Sequence, residues 1–425
     1  MGEQQNSETM LGGYRALDLT QGAFSICGKL MGDLGADVIK IERPGGDRTR
    51  NIGPFYKDIP DPEKSLFWFF LNLNKRSITL DIETDEGSGI FKRLVQTADF
   101  VLESFQPGYM DELGLGYGLL EDINPAIIMT SITPFGQTGP YAHYKVKDMI
   151  GTAMSGAMHY FRYLDSPPLR LTPLPQFELL GALSGAAGSM VALYYRELTG
   201  AGQHVDVSCQ QIAAGNIMHG IDVWEWMKVA FRGMGPGQFA ARPTGLLYTR
   251  MIFPCKDGYV YFMAGGGAQA GLVTSSKRLV EIANRDGMCL ELKDLDWSQL
   301  DMGAIAQEEW DRIQNSLGDF IRTKTKQELF DEAIANDVIL IPTTSIKDVV
   351  ESPQFKSREF WVEVDHSELG ESIAYPGFPI KWTELPPYRP QRRAPLIGEH
   401  NSNIYEAELG FSKEELVMLK VQGVI

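Results

Sequence analysis

The chain has 425 residues, of which 44% are hydrophobic and 22% are charged, a composition typical of a globular protein long enough to form two domains. Its formal net charge of −16 argues against a general affinity for nucleic acid or for anionic membranes. No apolar run approaches the ~18 residues of a membrane-spanning helix, and the N-terminus lacks the pattern of a secretion signal, so the sequence predicts a cytoplasmic protein without membrane association.

Strands and helices alternate in the first third of the chain. The hydrophobic pattern predicts strands at residues 14–19, 37–42, 77–81, 99–103 and 126–132. It predicts helices at residues 24–34 and 85–96. Such alternation is typical of an α/β fold with a mostly parallel sheet, in which ligands bind beyond the carboxyl ends of the strands. The loops that follow the first four predicted strands are therefore the places to look for ligand contacts.

A carboxylate stands at the start of a long helix in the middle of the chain. Glu178 follows a Pro-rich approach that ends at Pro175, and proline does not continue a preceding helix. Small residues that allow close approach of another backbone recur on one stripe of the helix, at Gly181, Ser184, Gly185, Gly188 and Ala192. The helix dipole favours the ionised form of a carboxylate in the first turn, and an ionised carboxylate is a nucleophile. An acidic residue is also common at a helix start for structural reasons alone.

The residue pattern changes near residue 226, and the following segment predicts a smaller α+β domain. We therefore expect a small domain from residues 226–330. Residues 1–225 and 331–425 should form the large domain.

Common catalytic and nucleotide-binding motifs do not occur in the sequence. Residues 22–29 differ from a phosphate-binding loop in their spacing, and Leu30 stands where that loop requires Ser or Thr. The first predicted strand is not followed by the glycine fingerprint of dinucleotide-binding domains, and the GxSxG motif of hydrolases is missing. The four cysteines and six histidines form no metal-binding pattern, so we expect no metal site.

Several blocks resemble a known family over nearly the whole chain. They are LDLT at 17–20, LGADVIKIERPGGDRTR at 34–50, NKRSITLDIETDEG at 74–87, ESFQPGYMDELGL at 103–115, FGQTGPY at 135–141, RELTGAGQHVDVS at 196–208 and GEHNSNIYEAELGFSKEEL at 398–416. By these blocks the chain is identified as a member of the class III CoA-transferases, which include formyl-CoA, carnitine-CoA and benzylsuccinate CoA-transferases. The resemblance implies a large Rossmann-like domain, a smaller domain, and a dimer of two interlocked chains.

The resemblance also implies a catalytic residue. In this family an Asp at the start of the small-residue helix attacks the acyl-CoA, and the reaction passes through anhydride and enzyme-bound CoA thioester intermediates. Glu178 occupies the matching position, counted back from Arg196 in the RELTGAGQ block. The extra methylene of Glu moves the carboxylate by ~1.5 Å, and a misplacement of that order costs ~100-fold in rate.

Contacts to coenzyme A follow from the same resemblance. The matching positions are Gly22, Ala23, Phe24, Arg43, Leu80, Asp81, Ser104, Phe105, Gln106, Tyr144, Lys145 and Lys147. The two lysines would supply positive charge that an acidic protein otherwise lacks. Glu112, by contrast, stands where formyl-CoA transferases carry a CoA-binding Arg, and a carboxylate close to a phosphate is unfavourable.

Three functional hypotheses follow. The leading one is a CoA-transferase that moves CoA between an acyl-CoA and a carboxylic acid and holds no permanent cofactor. The Asp of the family and the Arg of its formyl-CoA transferases are both replaced in this chain. We therefore favour a heterodimer or heterotetramer of the benzylsuccinate type, in which this chain is the supporting subunit beside a homologous partner. A homodimer is the alternative. The second hypothesis is an acyl-CoA racemase or isomerase, although Lys147 precedes Asp148 where the family's racemases have a His before an Asp. The third is a non-catalytic assembly subunit.

Overall fold

The computed structural model describes residues 9–162, 166–170, 174–228, 235–242 and 245–425. These residues belong to two compact units. The first unit comprises Met1–Met158, Arg170–Met227 and Gln354–Ile425, and the second comprises His159–Leu169 and Lys228–Pro353.

The strands are β1 (Arg15–Asp18), β2 (Asp37–Glu42), β3 (Lys75–Thr79), β4 (Phe100–Glu103), β5 (Ile128–Thr133), β6 (Gln203–Ser208), β7 (Gly237–Arg242), β8 (Gly245–Arg250), β9 (Ile252–Cys255), β10 (Gly258–Phe262), β11 (Leu340–Thr343), β12 (Trp361–His366) and β13 (Glu371–Pro376). The α-helices are α1 (Ile26–Asp33), α2 (Leu66–Leu71), α3 (Asp85–Val95), α4 (Tyr109–Glu112), α5 (Tyr117–Ile123), α6 (Asp148–Met154), α7 (Ala157–Tyr160), α8 (Gln176–Thr199), α9 (Cys209–Gly215), α10 (Met218–Met227), α11 (Ala270–Arg285), α12 (Gln307–Arg322), α13 (Lys326–Ala335), α14 (Ile346–Glu351), α15 (Pro353–Ser357) and α16 (Lys413–Val421).

Six parallel strands form the central sheet of the first unit. Their order is β3-β2-β1-β4-β5-β6, and every neighbouring pair is parallel. The α/β fold with a mostly parallel sheet, predicted from the sequence, is therefore confirmed. The strand expected at residues 77–81 begins two residues earlier, at Lys75. Lys75 is polar and so does not belong to the hydrophobic pattern, although its side chain is buried in the sheet.

Apolar side chains cover both faces of this sheet. On one face, Ile39 and Val101 belong to a buried cluster that includes Phe91 of α3. On the other face, Phe100 belongs to a cluster that includes Ala182 of α8. Because helices occupy both faces, the carboxyl edge of the strands is where loops can surround a ligand.

The small residues of α8 allow this helix to lie directly on the sheet. A Cβ added to Gly185 would lie 2.6 Å from Cδ1 of Ile132 in the sheet, and one added to Gly181 would lie 2.3 Å from Sγ of Cys209, the first residue of α9. By length and apolar composition α8 could also cross a membrane, contrary to the expectation that no apolar run is long enough. Its packing against β5 and β6 is that of a core helix.

The second unit contains antiparallel strands. Strands β9, β10 and β11 form a sheet in the order β11-β10-β9, and β7 pairs with β8. The core of this unit includes Phe253, Leu279 and Trp310. Since β11 pairs with β10, the chain is still within this unit past residue 331, where the sequence predicted a return to the large domain.

Three charged side chains are buried together in the central sheet. Lys75 Nζ lies 2.7 Å from Oδ2 of Asp18, Lys40 Nζ lies 3.6 Å from Oδ1 of the same residue, and all three side chains are fully buried. Burial alone would raise the pKa of Asp18, but the two ammonium groups hold it below its usual value. The ammonium groups also donate to backbone carbonyls, Lys40 to Thr20 and Lys75 to Ser25. The network therefore fixes both ends of the loop after β1.

We expect Lys75→Met to lower the free energy of unfolding by about 3–5 kcal/mol, because the buried Asp18 carboxylate would keep only the more distant Lys40 as a counter-charge. Urea denaturation at neutral pH measures the change. The matched control is Lys347→Met, which removes an exposed lysine paired at 3.8 Å with Glu351 and should cost less than about 1 kcal/mol. Equal stabilities of the two variants would contradict the prediction.

Candidate functional site

A cavity of about 520 Å³ opens at the carboxyl edge of the central sheet. It lies among the loops that follow β1, β2, β3 and β4, where the strand pattern predicted ligand contacts. Of the predicted CoA contacts, the residues that line this cavity are Gly22, Arg43, Leu80, Ser104, Phe105 and Gln106. The structure therefore brings together residues that are far apart in the sequence, from Gly22 to Gln106.

Hydrogen bonds hold two of these loops together. The backbone N–H of Gln21 donates to Oγ of Ser104 at 2.8 Å, which joins the loop after β1 to the loop after β4. The backbone N–H of Phe105 donates to Oε2 of Glu103 at 2.7 Å. These bonds fix the wall on which Ser104, Phe105 and Gln106 lie.

Glu178, in the first turn of α8, lies beside the loop after β1. The backbone N–H of Ala23 donates to its Oε2 at 3.4 Å, and a Cβ added to Gly22 would lie 3.2 Å from the same oxygen. Gly22 has a φ of +63° and also lines the cavity, so the candidate nucleophile is adjacent to the cavity wall. A side chain at position 22 would crowd the carboxylate.

Burial of the carboxylate has a larger effect on the pKa of Glu178 than the helix dipole has. Burial raises its pKa, the Ala23 hydrogen bond lowers it, and the neighbouring charge of Asp148 raises it again. The pKa of Glu178 is therefore raised, whereas the helix dipole considered from the sequence would lower it. Asp148 is close because its Oδ1 accepts a hydrogen bond of 2.8 Å from the backbone N–H of Phe177.

The other predicted contacts do not line this cavity. Ala23 is buried, Phe24 is half-buried against the core, and Asp81 accepts a hydrogen bond from the backbone N–H of Glu83. The remaining three are exposed residues of the segment that leads into α6, namely Tyr144, Lys145 and Lys147. Their roles stay predictions.

Charged and aromatic residues that the sequence reasoning did not select also line the cavity. Asp47, Arg48 and Thr49 follow the pair Gly45 and Gly46, both of which have φ near +90°. The signal that could have identified them is this glycine pair, separated from the end of β2 by two residues, in a loop already expected to face a ligand. Tyr109 also lines the wall, and its ring packs against Phe105 with the centroids 4.7 Å apart.

Arg43 is engaged by neighbouring side chains. Its Nη2 pairs with Oε1 of Glu83 and lies 3.2 Å from the hydroxyl of Tyr109. Both the charge and the donors of this arginine are therefore partly used within the protein.

A second, smaller cavity of about 110 Å³ lies behind the loop after β4. Its polar lining includes Glu103, Ser131 and His204, and the last two are joined by a hydrogen bond of 2.8 Å between Oγ and Nε2. Burial raises the pKa of Glu103 to about 7, against the hydrogen bonds from Ser131 and the Phe105 N–H. Near neutral pH this carboxyl group is therefore partly protonated.

Comparisons with known proteins agree with the sequence resemblance. A family model described as CoA-transferase family III matches residues 11–401. The chain is 32% identical to the succinyl-CoA:(R)-benzylsuccinate CoA-transferase subunit BbsE of Thauera aromatica, over 97% of each chain. It is also 32% identical to the formyl-CoA:oxalate CoA-transferase of Streptomyces avermitilis, over 98% of this chain and 99% of that one. A solved structure of a CAIB/BAIF family protein from Brucella suis is similar with a TM-score of 0.79 and 27% identity, covering 94% of this chain and 100% of that chain.

We expect Glu103→Gln to stabilise the protein more at pH 8 than at pH 5. The pKa of about 7 in the folded state lies above the ordinary glutamate pKa of 4.5. The stability that comes from the protonated carboxyl is therefore fully present below pH 4.5 and is lost as the pH rises through 7. Gln keeps a hydrogen-bond acceptor for the Phe105 N–H and does not ionise. Urea denaturation at both pH values measures the difference, with the exposed Glu121→Gln as control. A pH-independent effect of Glu103→Gln would contradict the assignment.

Proposed function

The chain belongs to CoA-transferase family III, and we propose that it moves coenzyme A between an acyl-CoA and a carboxylic acid, with Glu178 as the nucleophile. The observation that carries the proposal is the contact of the Glu178 carboxylate with the Ala23 N–H and with Gly22, a residue of the cavity wall. A carboxylate held beside a ligand cavity by a backbone donor is arranged for acyl transfer.

The proposed reaction begins with attack of a Glu178 oxygen on the thioester carbonyl carbon. The C–S bond breaks, CoA leaves as a thiolate, and a mixed anhydride forms. The thiolate then attacks the Glu178 carbonyl, which releases the first acid as a carboxylate and leaves CoA on Glu178 as a thioester. The acceptor carboxylate repeats these two steps in reverse, forming the new acyl-CoA and regenerating Glu178. No net proton is exchanged, so Glu178 must start ionised.

The cavity suits the nucleotide end of coenzyme A. Leu80 and Phe105 offer apolar surface to an adenine ring, and Arg43 lies at the same wall. We propose that Tyr144, Lys145 and Lys147 contact the remainder of the molecule. The support for this role is the hydrogen bond from Phe177 to Asp148, which holds the start of α6 next to the first turn of α8.

A supporting-subunit role is the second candidate. Glu112 is exposed at the end of α4, where formyl-CoA transferases carry an Arg, and Glu178 is one methylene longer than the family's Asp. The relative from Thauera aromatica is itself named as a subunit. In that case the covalent chemistry takes place on a homologous partner, and this chain completes the assembly.

A partner chain is part of the proposal in either case. Helix α10 exposes several large apolar side chains, and an exposed apolar patch of this kind marks an interaction surface. They are Met218 at 63%, Ile221 at 49%, Trp224 at 53%, Trp226 at 83% and Met227 at 67% exposure. We propose a heteromer with a homologous subunit in the cytoplasm, and a homodimer as the alternative assembly.

Mutation of Glu178 tests the chemistry. Incubation with an accepted acyl-CoA should leave an adduct on Glu178 that hydroxylamine traps, because a glutamyl thioester is an activated acyl group. Glu178→Gln should abolish transfer and labelling, whereas Glu178→Asp should retain activity. Because burial raises the pKa of Glu178, activity should fall in acid at a higher pH than an ordinary glutamate would give.

The matched control is Glu197→Gln, which changes an exposed glutamate on the same helix and should leave transfer unchanged. The assay uses the complete complex, and mass spectrometry maps the label. A label found only on the partner subunit would contradict catalysis by Glu178 and support the supporting role.

The native mass tests the partner surface. The wild-type chain of 47.3 kDa should be found in a particle of at least twice that mass, alone or when co-expressed with a homologous subunit. The double change Trp224→Ser with Trp226→Ser should return it to monomers. The control is Leu290→Ser, which removes an exposed leucine of the second unit and should leave the mass unchanged. A monomeric wild type under both conditions would contradict the assembly.

A further inference from the structure

Four charged residues line the cavity at the carboxyl edge of the central sheet, and three of them are compensated within the protein. Glu42 receives two hydrogen bonds from Arg50, at 2.7 and 2.8 Å. Arg43 pairs with Glu83. These pairings leave little free charge on that part of the wall.

Asp47 is compensated as well. Its Oδ1 accepts from the backbone N–H of Thr49 at 2.8 Å and from the Thr49 hydroxyl at 2.5 Å, and its Oδ2 lies 3.9 Å from Nζ of the buried Lys40. Its negative charge is thus directed into the protein, and the wall beside it does not carry a free anion.

Arg48 is the fourth charged residue, and it is different. It is exposed, and it has no ion-pair or side-chain hydrogen-bond partner within the described part of the chain. Its backbone is held firmly, because Asp47 on one side caps the turn and Arg50 on the other side is buried against Glu42. A free guanidinium is thereby presented at the cavity on a fixed turn.

We propose that Arg48 binds a phosphate group of coenzyme A. This inference rests on the proposed function and names a contact that the family resemblance did not supply. Coenzyme A carries all its negative charge on phosphates, and a guanidinium offers paired donors that match phosphate oxygens. Arg43 is engaged by Glu83, and Glu112 stands where formyl-CoA transferases carry a CoA-binding Arg. Arg48 is therefore the residue of the cavity wall whose charge is available to the ligand.

Calorimetry with free CoA tests the contact. Arg48→Ala should weaken CoA binding by about 10-fold or more, and Arg48→Lys should recover part of the loss because it keeps the charge without the paired donors. The matched control is Arg322→Ala, an exposed arginine of the second unit that pairs with Asp319 at 2.8 Å, and it should bind CoA like the wild type.

Two analogues identify which phosphate is bound. If Arg48 meets the 3′-phosphate, wild type and Arg48→Ala should bind 3′-dephospho-CoA equally. If Arg48 contacts the diphosphate, the wild type should bind 3′-dephospho-CoA more tightly than Arg48→Ala does, and the two proteins should bind pantetheine with equal affinity. Either result supports the inference.

The failure of this inference differs from the failure of the proposed function. CoA binding by the wild type with unchanged affinity in Arg48→Ala would overturn the Arg48 contact and leave the proposed function standing. A wild-type complex that binds no CoA would overturn both.

Discussion

The buried contact of Asp18 with Lys40 and Lys75 is the interaction on which the candidate site depends. It joins the three strands β1, β2 and β3 inside the sheet, and its ammonium groups also bind the carbonyls of Thr20 and Ser25. Those two carbonyls delimit the loop that contains Gly22 and Ala23. The loop is thus held in place by buried charged groups, because breaking its contacts would leave charges unpaired in the interior.

The position of Glu178 follows from that loop and from the packing of α8. The small residues of α8 allow the helix to lie close to β5 and β6, and its first turn then meets the loop after β1. The same packing buries the Glu178 carboxylate and raises its pKa. The arrangement therefore brings the carboxylate to the cavity but disfavours its charged form, and the single N–H of Ala23 offsets only part of that cost.

The C-terminal segment covers the outer edge of β3. The backbone N–H of His400 donates to the carbonyl of Ser77 at 2.9 Å, and the hydroxyl of Tyr405 donates to the carbonyl of Thr79 at 2.6 Å. These bonds cover the edge of β3, the outermost strand, immediately before Leu80 enters the cavity wall. An exposed strand edge is a site of unwanted pairing, so this segment both protects the sheet and steadies the site.

The sequence by itself determined the parallel α/β fold, the close packing of α8 and the loops that surround the cavity, because periodic apolar residues, glycines and prolines act through neighbours along the chain. It located Gly22, Arg43, Leu80 and the residues after Glu103 through a family resemblance, and the structure gathers them at one cavity. Only the tertiary structure decided that Lys75 is buried in a strand, that Arg43 is engaged by Glu83, and that burial outweighs the helix dipole at Glu178. Each of these three features depends on contacts between groups 40 or more positions apart in the sequence. The packing of the strands and helices sets the distance between such groups, and a local sequence pattern does not predict it.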